Sequence, residues 1–359
     1  MIIDCLAQVW VVMRLELAKT FFARRGLWVY LLALAPVLLY CGHSIYAPRQ
    51  QERLARIHAT HPQQTGALKT LTLGITQEQV VARFGEPYAQ RGGQFRMEGG
   101  RTSQRARLWY TDGKSDYALR FVDGVLMRID RSDPDTVESD SFLFATIFQF
   151  YYLRLAIFFG CLGVFMNLFR GEMLDKSLHF YLLTPVRRET LLAGKYLAGL
   201  IATAVIFTAS TALQFPVMLA EFDHATVAAY FAGPGWGHFA AYLGVTVLAC
   251  VGYGSIFLAA GLFFRNPIIP AAVILFWESA NLFLPAALKH LSMIFYLQSL
   301  CPVVPPSDPD MPIALRLLIS ITQPTSAPVA IIGVICFTAV VLGLAAYKVR
   351  RLEINYAAD

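Results

Sequence analysis

Six long apolar runs constrain this chain more than any other feature of its sequence. The 359 residues are 56% hydrophobic, and their mean hydropathy is +0.51. A helix needs about 20 apolar residues to cross a hydrocarbon core, where no water satisfies open backbone groups. The sequence therefore predicts an all-α polytopic membrane protein with six transmembrane helices. These are Leu27–Tyr46, Gln149–Phe169, Tyr196–Ala220, Phe239–Phe264, Ile268–Leu288 and Ala327–Tyr347.

The distribution of Lys and Arg predicts the orientation of these helices. If the N-terminus is cytoplasmic, the inner segments hold 13 basic residues and the short outer loops hold only Lys289 and Arg316. Basic residues concentrate in cytoplasmic loops, so both termini are expected inside. The net charge of +6 follows from this topology, and no nucleic-acid partner is expected.

The residues before the first run predict an amphipathic helix. Leu6, Val9, Trp10, Met13, Leu17 and Phe21 recur at helical spacing. Such a helix would lie along the inner membrane surface as an elbow, with a plain cytoplasmic tail as the alternative. Its length and pattern do not fit a cleaved signal peptide. Residues 1–46 are thus expected to form the elbow helix and the first span.

The one large hydrophilic block, residues 47–140, is expected outside the membrane between the first two spans. Thr76 and Gln79 fit a capping box that opens a short helix ending at Gly85. Asp112-Gly113 and Asp123-Gly124 are hairpin turns. The block should be a small α+β domain, with a helical stalk or linker over Ala47–Thr65, while residues 141–359 hold spans 2–6. The expected strands are Gln94–Met97, Arg105–Thr111, Tyr117–Val122 and Val125–Asp130.

A charged segment interrupts the apolar runs after Phe169. Its apolar side chains could enter a cleft in a partner, and its charges could fix the register; an ordinary solvated turn is the alternative. Thr184-Pro185 fits an N-cap with proline at the first helical position, which would begin the next helix rigidly. The segment, about 170–188, is followed by Gly194-Lys195. The pattern is carried by Glu172, Ser177, Leu182, Pro185, Arg188, Gly194 and Lys195.

This pattern resembles the coupling helix of ABC exporter permeases of the ABC-2 type. The resemblance implies a non-catalytic permease subunit in a bacterial inner membrane, pumping substrate outward with a second permease copy. No phosphate-binding loop occurs in the sequence, so ATP and Mg would bind a separate ATPase on the cytoplasmic face. The implied coupling residues are Glu172, Asp175, Lys176, Ser177, Pro185, Arg187, Arg188 and Lys195.

Two ionisable residues fall within the apolar runs. Arg154 lies near the outer end of the second span, where it could extend to the headgroups. Glu278 lies midway along the fifth, with Asn281 one turn on. Intramembrane charges usually face a cavity or a partner, so these three residues are candidates for a transport path or gate. For Glu278, an interhelix hydrogen bond is the structural alternative.

The outer domain resembles the SmpA/OmlA-type domain of envelope-assembly lipoproteins, through motifs such as Phe84-Gly85-Glu86-Pro87 and Phe121-Val122-Asp123-Gly124. This similarity suggests an envelope protein as a further partner. It also leaves open a different function, in which the chain is a non-transporting sensor or scaffold. No catalytic constellation or metal-ligand spacing is apparent, which disfavours an intramembrane enzyme, and no inverted repeat indicates an ion-coupled carrier.

Overall fold

A computed structural model describes residues 2–22, 26–60, 68, 71–96, 102–171, 187–264, 266, 268–305 and 324–351. The chain divides into two compact units. The first comprises Met1–Tyr40 and Asp140–Asp359, and the second is Cys41–Ser139. The second unit covers the hydrophilic block except Asp140 and begins six residues earlier than it. The placement of this block outside the membrane stays a prediction.

Within the described ranges, five helices have the length and apolar composition needed to cross a membrane. Each overlaps one of the predicted spans, and two of them end one or two residues before the predicted span does. The first, Leu27–Thr60, runs on through Pro48 over most of the expected helical stalk or linker. The fourth bends at Gly233, whose backbone is not helical. The helices are α2 (Leu27–Thr60), α4 (Val137–Phe169), α5 (Arg188–Met218), α6 (His224–Phe263) and α10 (Ala327–Arg350).

Contacts within the first unit show that α2, α4, α5 and α6 alternate in direction along the chain. At one side, Phe144 packs against Tyr40, Phe215 and Tyr242, at ring-centroid distances of 5.4, 5.5 and 4.7 Å. At the opposite side, glycines leave room for residues of other helices to pack closely against them. These contacts are Trp28 with Gly163, Phe165 with Gly199, and Met166 with Gly261.

The fifth apolar run departs from the single helix predicted over Ile268–Leu288. Helix α7 (Ile268–Ala280) is followed by a 3-10 turn over Asn281–Phe283, and the backbone is extended at Leu284. Pro285 causes this break, because its ring disfavours helical backbone at the preceding residue. Two short helices follow, α8 (Ala286–Lys289) and α9 (Met293–Ser299).

The N-terminal helix α1 (Ile2–Phe22) is present, and it packs mainly against α5. Val12 and Met13 are buried in this contact, whereas Leu6, Trp10 and Val11 stay more than 60% exposed. An exposed apolar side suits a membrane surface. The placement of α1 as an elbow along that surface stays a prediction.

The second unit is one helix against a four-stranded antiparallel sheet. Helix α3 (Gln77–Phe84) buries Val80 and Phe84 against the sheet. The strand order is β1-β2-β3-β4, which confirms the predicted meander. The first strand begins five residues earlier than predicted. The prediction missed these residues because their polar, glycine-containing sequence lacks the alternation of apolar and polar residues that marks a strand. The strands are β1 (Ala89–Arg96), β2 (Thr102–Thr111), β3 (Asp116–Val122) and β4 (Val125–Ser132).

Both predicted hairpin turns adopt the backbone that their residues favour. Gly113, Asp123 and Gly124 all have positive φ, at 84°, 51° and 80°. Asn, Asp and Gly tolerate this conformation far better than other residues. The Asp123 carboxylate also accepts a 2.8 Å hydrogen bond from the Gln104 backbone, which ties the turn to β2.

The predicted capping box at α3 is formed. Thr76 Oγ1 accepts from the Gln79 N–H at 3.4 Å, and Gln79 Oε1 accepts from the Thr76 N–H at 3.1 Å. We expect Thr76→Ala to lower the free energy of unfolding of this unit by about 1 kcal/mol, because an N-terminal amide loses its acceptor. Hydrogen exchange at Gln79 measures the effect. Thr102→Ala, which leaves the Thr76–Gln79 capping box intact, serves as the control. Equal protection of the Gln79 amide in both variants would contradict the prediction.

Candidate functional site

Most of the predicted coupling segment lies outside the described residues. This applies to Glu172, Asp175, Lys176, Ser177 and Pro185, whose roles stay predictions. Both flanks are described: helical structure continues from α4 to Gly171, and α5 begins at Arg188. The Arg187 backbone is extended, and its carbonyl accepts from the Thr190 and Leu191 amides. Helix α5 therefore starts directly after Arg187. The predicted N-cap at Thr184 and helix start at Pro185 lie outside the described residues.

The start of α5 and the end of α10 meet in a charged hollow of about 550 Å³, lined by Arg187, Arg188, Glu189 and Arg350. Arg188 Nη1 donates to the Arg350 carbonyl at 3.0 Å, and Arg350 pairs with Glu189. Two of the predicted coupling arginines thus lie where the last helix ends. A force applied at Arg188 would reach both α5 and α10.

Lys195, the third predicted coupling residue described here, points into the protein. It has no exposed surface, and its Nζ lies 2.8 Å from Glu16 Oε1 on α1. The same Nζ lies 5.4 Å from the centre of the Phe169 ring at the end of α4. Lys195 therefore holds three elements of this chain together. A part in coupling stays a prediction, and it would act through these neighbours.

The carboxylate of Glu278 joins the end of α7 to the start of α9. Oε1 accepts from the Met293 amide at 3.0 Å. Oε2 accepts from the Ser292 hydroxyl and the Ile294 amide, both at 2.8 Å. A helix start leaves amides open, and a negative charge there is favourable. The structure thus gives Glu278 the hydrogen-bonding role; a place on a transport path stays a prediction.

Arg154 and Asn281 lie in the same region. Arg154 Nη2 is 3.5 Å from Gln298 Oε1 on α9, and its guanidinium lies 5.3 Å from the Phe150 ring centre. Asn281 is buried at 4% exposure. The structure therefore brings the three predicted intramembrane residues to one part of the first unit, around α7 and α9.

Three participants escaped the sequence analysis: Glu16, Ser292 and Gln298. Glu16 shares a helical face with Val12 and Met13, both buried, and this spacing was the available signal. Ser292 precedes an apolar segment and is a common N-cap residue. Nothing local to Gln298 indicates that it meets Arg154, 144 positions away.

On the sheet of the second unit, one carboxylate lies among three arginines. Asp130 pairs with Arg107, Arg120 and Arg128 at 3.4, 2.7 and 2.6 Å. Burial opposes ionisation of Asp130, but the hydrogen bonds and charges of Arg128 and Arg120 hold its pKa below its ordinary value. These contacts tie β2, β3 and β4 together.

Long apolar helices with charged ends, joined to a separate α+β unit, define a multi-pass membrane protein. The sequence profile of the ABC-2 family transporter proteins matches residues 10–352. The chain therefore belongs to the ABC-2 family, and it is the permease of an ABC transporter, a membrane transport component that is not itself catalytic. No curated protein matches the sequence significantly.

Proposed function

We propose that this chain is the membrane-spanning subunit of an ATP-driven exporter. A separate ATPase binds ATP and Mg and docks on the cytoplasmic face, where it contacts the segment from Glu172 to Arg188. Two permease copies surround the substrate path. The protein lies in a bacterial inner membrane, with both termini inside and residues 47–140 outside.

One observation carries the coupling proposal: four elements converge beside the predicted coupling segment. Phe169 at the end of α4 contacts Lys195 on α5, and Lys195 pairs with Glu16 on α1. Arg350 at the end of α10 pairs with Glu189 on α5. A partner that pushes the segment between α4 and α5 would therefore act on α1, α4, α5 and α10 together.

The contacts also support six crossings. Helix α6 ends beside Met166, on the side where α5 begins. Helix α10 begins on the opposite side, where Thr325 N lies 3.3 Å from Ser299 Oγ and Gln149 donates to the Val303 carbonyl. The chain must pass from one side to the other between these helices. Helices α7, α8 and α9 would make this fifth crossing in pieces.

The outer unit is proposed to bind an envelope protein that receives or presents the substrate. Its support is its own hydrophobic core, which includes Val80, Tyr110 and Leu119, and its sequence similarity to lipoprotein domains. The non-transporting sensor or scaffold is not favoured, because the family match covers nearly the whole chain.

The experiment is affinity purification of the tagged chain from its native membrane, with and without Glu172→Ala. The unaltered protein should bring down a P-loop ATPase at roughly one copy per permease. Glu172→Ala should reduce this recovery at least fivefold while membrane insertion is unchanged, since the charge expected to fix the contact is removed.

Two controls separate coupling from general damage. Glu78→Ala removes an exposed carboxylate from α3, and deletion of Leu71–Arg131 removes most of the outer unit; both should keep the ATPase. Normal ATPase recovery with Glu172→Ala would refute the assigned contact. Loss of the ATPase on deletion of the outer unit would overturn the topology.

A further inference from the structure

The ion pair between Glu16 on α1 and Lys195 on α5 is buried inside the protein. Glu16 is 3% exposed and Lys195 is fully buried, with 2.8 Å between Glu16 Oε1 and Lys195 Nζ. Lys19 approaches the same carboxylate oxygen at 3.7 Å from the surface. The carboxylate therefore receives two cations, one inside the protein and one at its edge.

Such a pair is a poor source of stability but a strict constraint on geometry. Desolvating two charges costs about as much as their attraction returns, whereas removing one partner leaves an uncompensated buried charge. The 2.8 Å contact forms only when Glu16 faces Lys195. It therefore fixes the rotation and axial position of α1 on α5.

The backbone around Lys195 is shaped for the same contact. A Cβ added to Gly194 would lie 2.8 Å from Val12 Cβ and 3.2 Å from the Val9 carbonyl oxygen. Real Cβ atoms do not approach so closely, so only glycine admits α1 at this distance. Gly194 and Lys195 thus act together, one by its small size and the other by its charge.

The position of the pair connects it to transport. Lys195 lies about two turns into α5, and its ammonium also contacts Phe169 at the end of α4. The predicted coupling segment joins these two helices. Any movement of that segment reaches Lys195 through both flanks, and reaches α1 through Glu16.

We propose that Glu16 is a positioning residue that fastens the N-terminal helix to α5 through Lys195, so that α1 moves with the body driven by the ATPase. This inference rests on the proposed function, because it assigns α1 a place in the same coupling movement. The exposed side of α1, with Leu6 and Trp10, would then carry that movement along the membrane surface.

The first test measures the attachment of α1 without any ATPase. Val12→Cys, in a Cys5→Ala background, places a thiol in the contact between α1 and α5, and maleimide labelling at residue 12 is followed by mass spectrometry. Glu16→Gln and Lys195→Met should each raise the labelling rate at least tenfold. The double variant Glu16→Leu with Lys195→Met should label slowly, because apolar side chains can replace a buried pair.

The second test uses the ATPase that co-purifies with the chain, reconstituted with it in nanodiscs. Glu16→Gln should lower kcat for ATP hydrolysis at least threefold and leave KM for ATP unchanged, since the nucleotide site lies on the partner. The apolar double variant should recover kcat. Gly194→Leu, which pushes α1 away without altering charge, should lower kcat similarly. Arg14→Gln, at an exposed charge on the same helix, is the matched control. It should change neither kcat nor the labelling rate at residue 12.

Unchanged labelling in both single variants would overturn the attachment of α1 through Glu16. Faster labelling with unchanged kcat would overturn the role of this attachment in coupling. Absence of any ATPase from the unaltered preparation would instead refute the proposed function and with it the coupling role of Glu16. The labelling rates alone would then decide whether Glu16 fastens α1 to α5.

Discussion

Glu278→Ala is expected to lower the free energy of unfolding by about 3–5 kcal/mol. The carboxylate accepts hydrogen bonds from Ser292, Met293 and Ile294, and all three bonds are buried. A buried donor left without an acceptor costs about 1–3 kcal/mol, and alanine removes the acceptor of all three. Glu278→Gln should cost less, about 1–3 kcal/mol, because one carboxamide oxygen still accepts.

Glu278→Ala should lower the stability of the whole protein and should also open the start of α9. Thermal unfolding of the purified protein in detergent measures the total effect, and hydrogen exchange at Met293 and Ile294 measures the opening of the α9 start. Ser292→Ala is the control, since it removes one donor and leaves both amides capped; it should cost about 1 kcal/mol. Unfolding of Glu278→Ala at the temperature of the unaltered protein would contradict the geometry.

Phe165→Ala is expected to have an effect of similar size, about 3–5 kcal/mol, because it deletes a buried ring from the centre of three helices. Phe165 on α4 is fully buried. Its ring fits against Gly199 on α5 and Gly254 on α6, and lies 5.9 Å from the Tyr196 ring. The ring and the two glycines form a single packing unit.

The same geometry predicts that Gly254→Ala is harmful only while the ring is present. A Cβ at Gly254 would lie 2.5 Å from Phe165 Cζ, and such overpacking costs about 1–3 kcal/mol. Combined with Phe165→Leu, the added methyl should fill space and recover part of the loss. A double-mutant cycle by thermal unfolding measures this non-additivity.

Gly244→Ala is the matched control for the steric argument. It lies on the same helix α6 with nothing within 4 Å of an added Cβ, so it should be neutral or slightly stabilising. Equal effects of alanine at Gly244 and Gly254 would refute the packing explanation.

The parts of the fold that sequence reasoning predicted correctly depend on local physics. The five long helices follow from apolar length, the α3 start follows from the Thr76 capping box, and both hairpins follow from Asp-Gly turns. Each signal is contained within a few neighbouring residues or one continuous run.

What the sequence did not predict depends on contacts between distant residues. Lys195 was expected among the coupling residues, and no local signal indicated that it pairs with Glu16, 179 positions away. The fifth span was predicted as one helix because its apolar residues are nearly continuous, and the helix-breaking effect of Pro285 was not taken into account. In the structure the backbone before Pro285 is extended and the helix is interrupted. Arg154 and Glu278 drew attention as rare charges, but only the fold shows that α9 lies against both.

The interrupted segment over α7, α8 and α9 has a mechanical consequence. An unbroken helix such as α10 keeps its length and can only tilt or rotate as a rod. A crossing made of short pieces can change its length and bend at Leu284-Pro285 and again at Ser292. At the second bend the Glu278 carboxylate accepts from the Met293 and Ile294 amides, so this break leaves neither amide without an acceptor. As the proposed fifth crossing, this segment would be better suited than the five long helices to shorten or extend while its neighbours tilt.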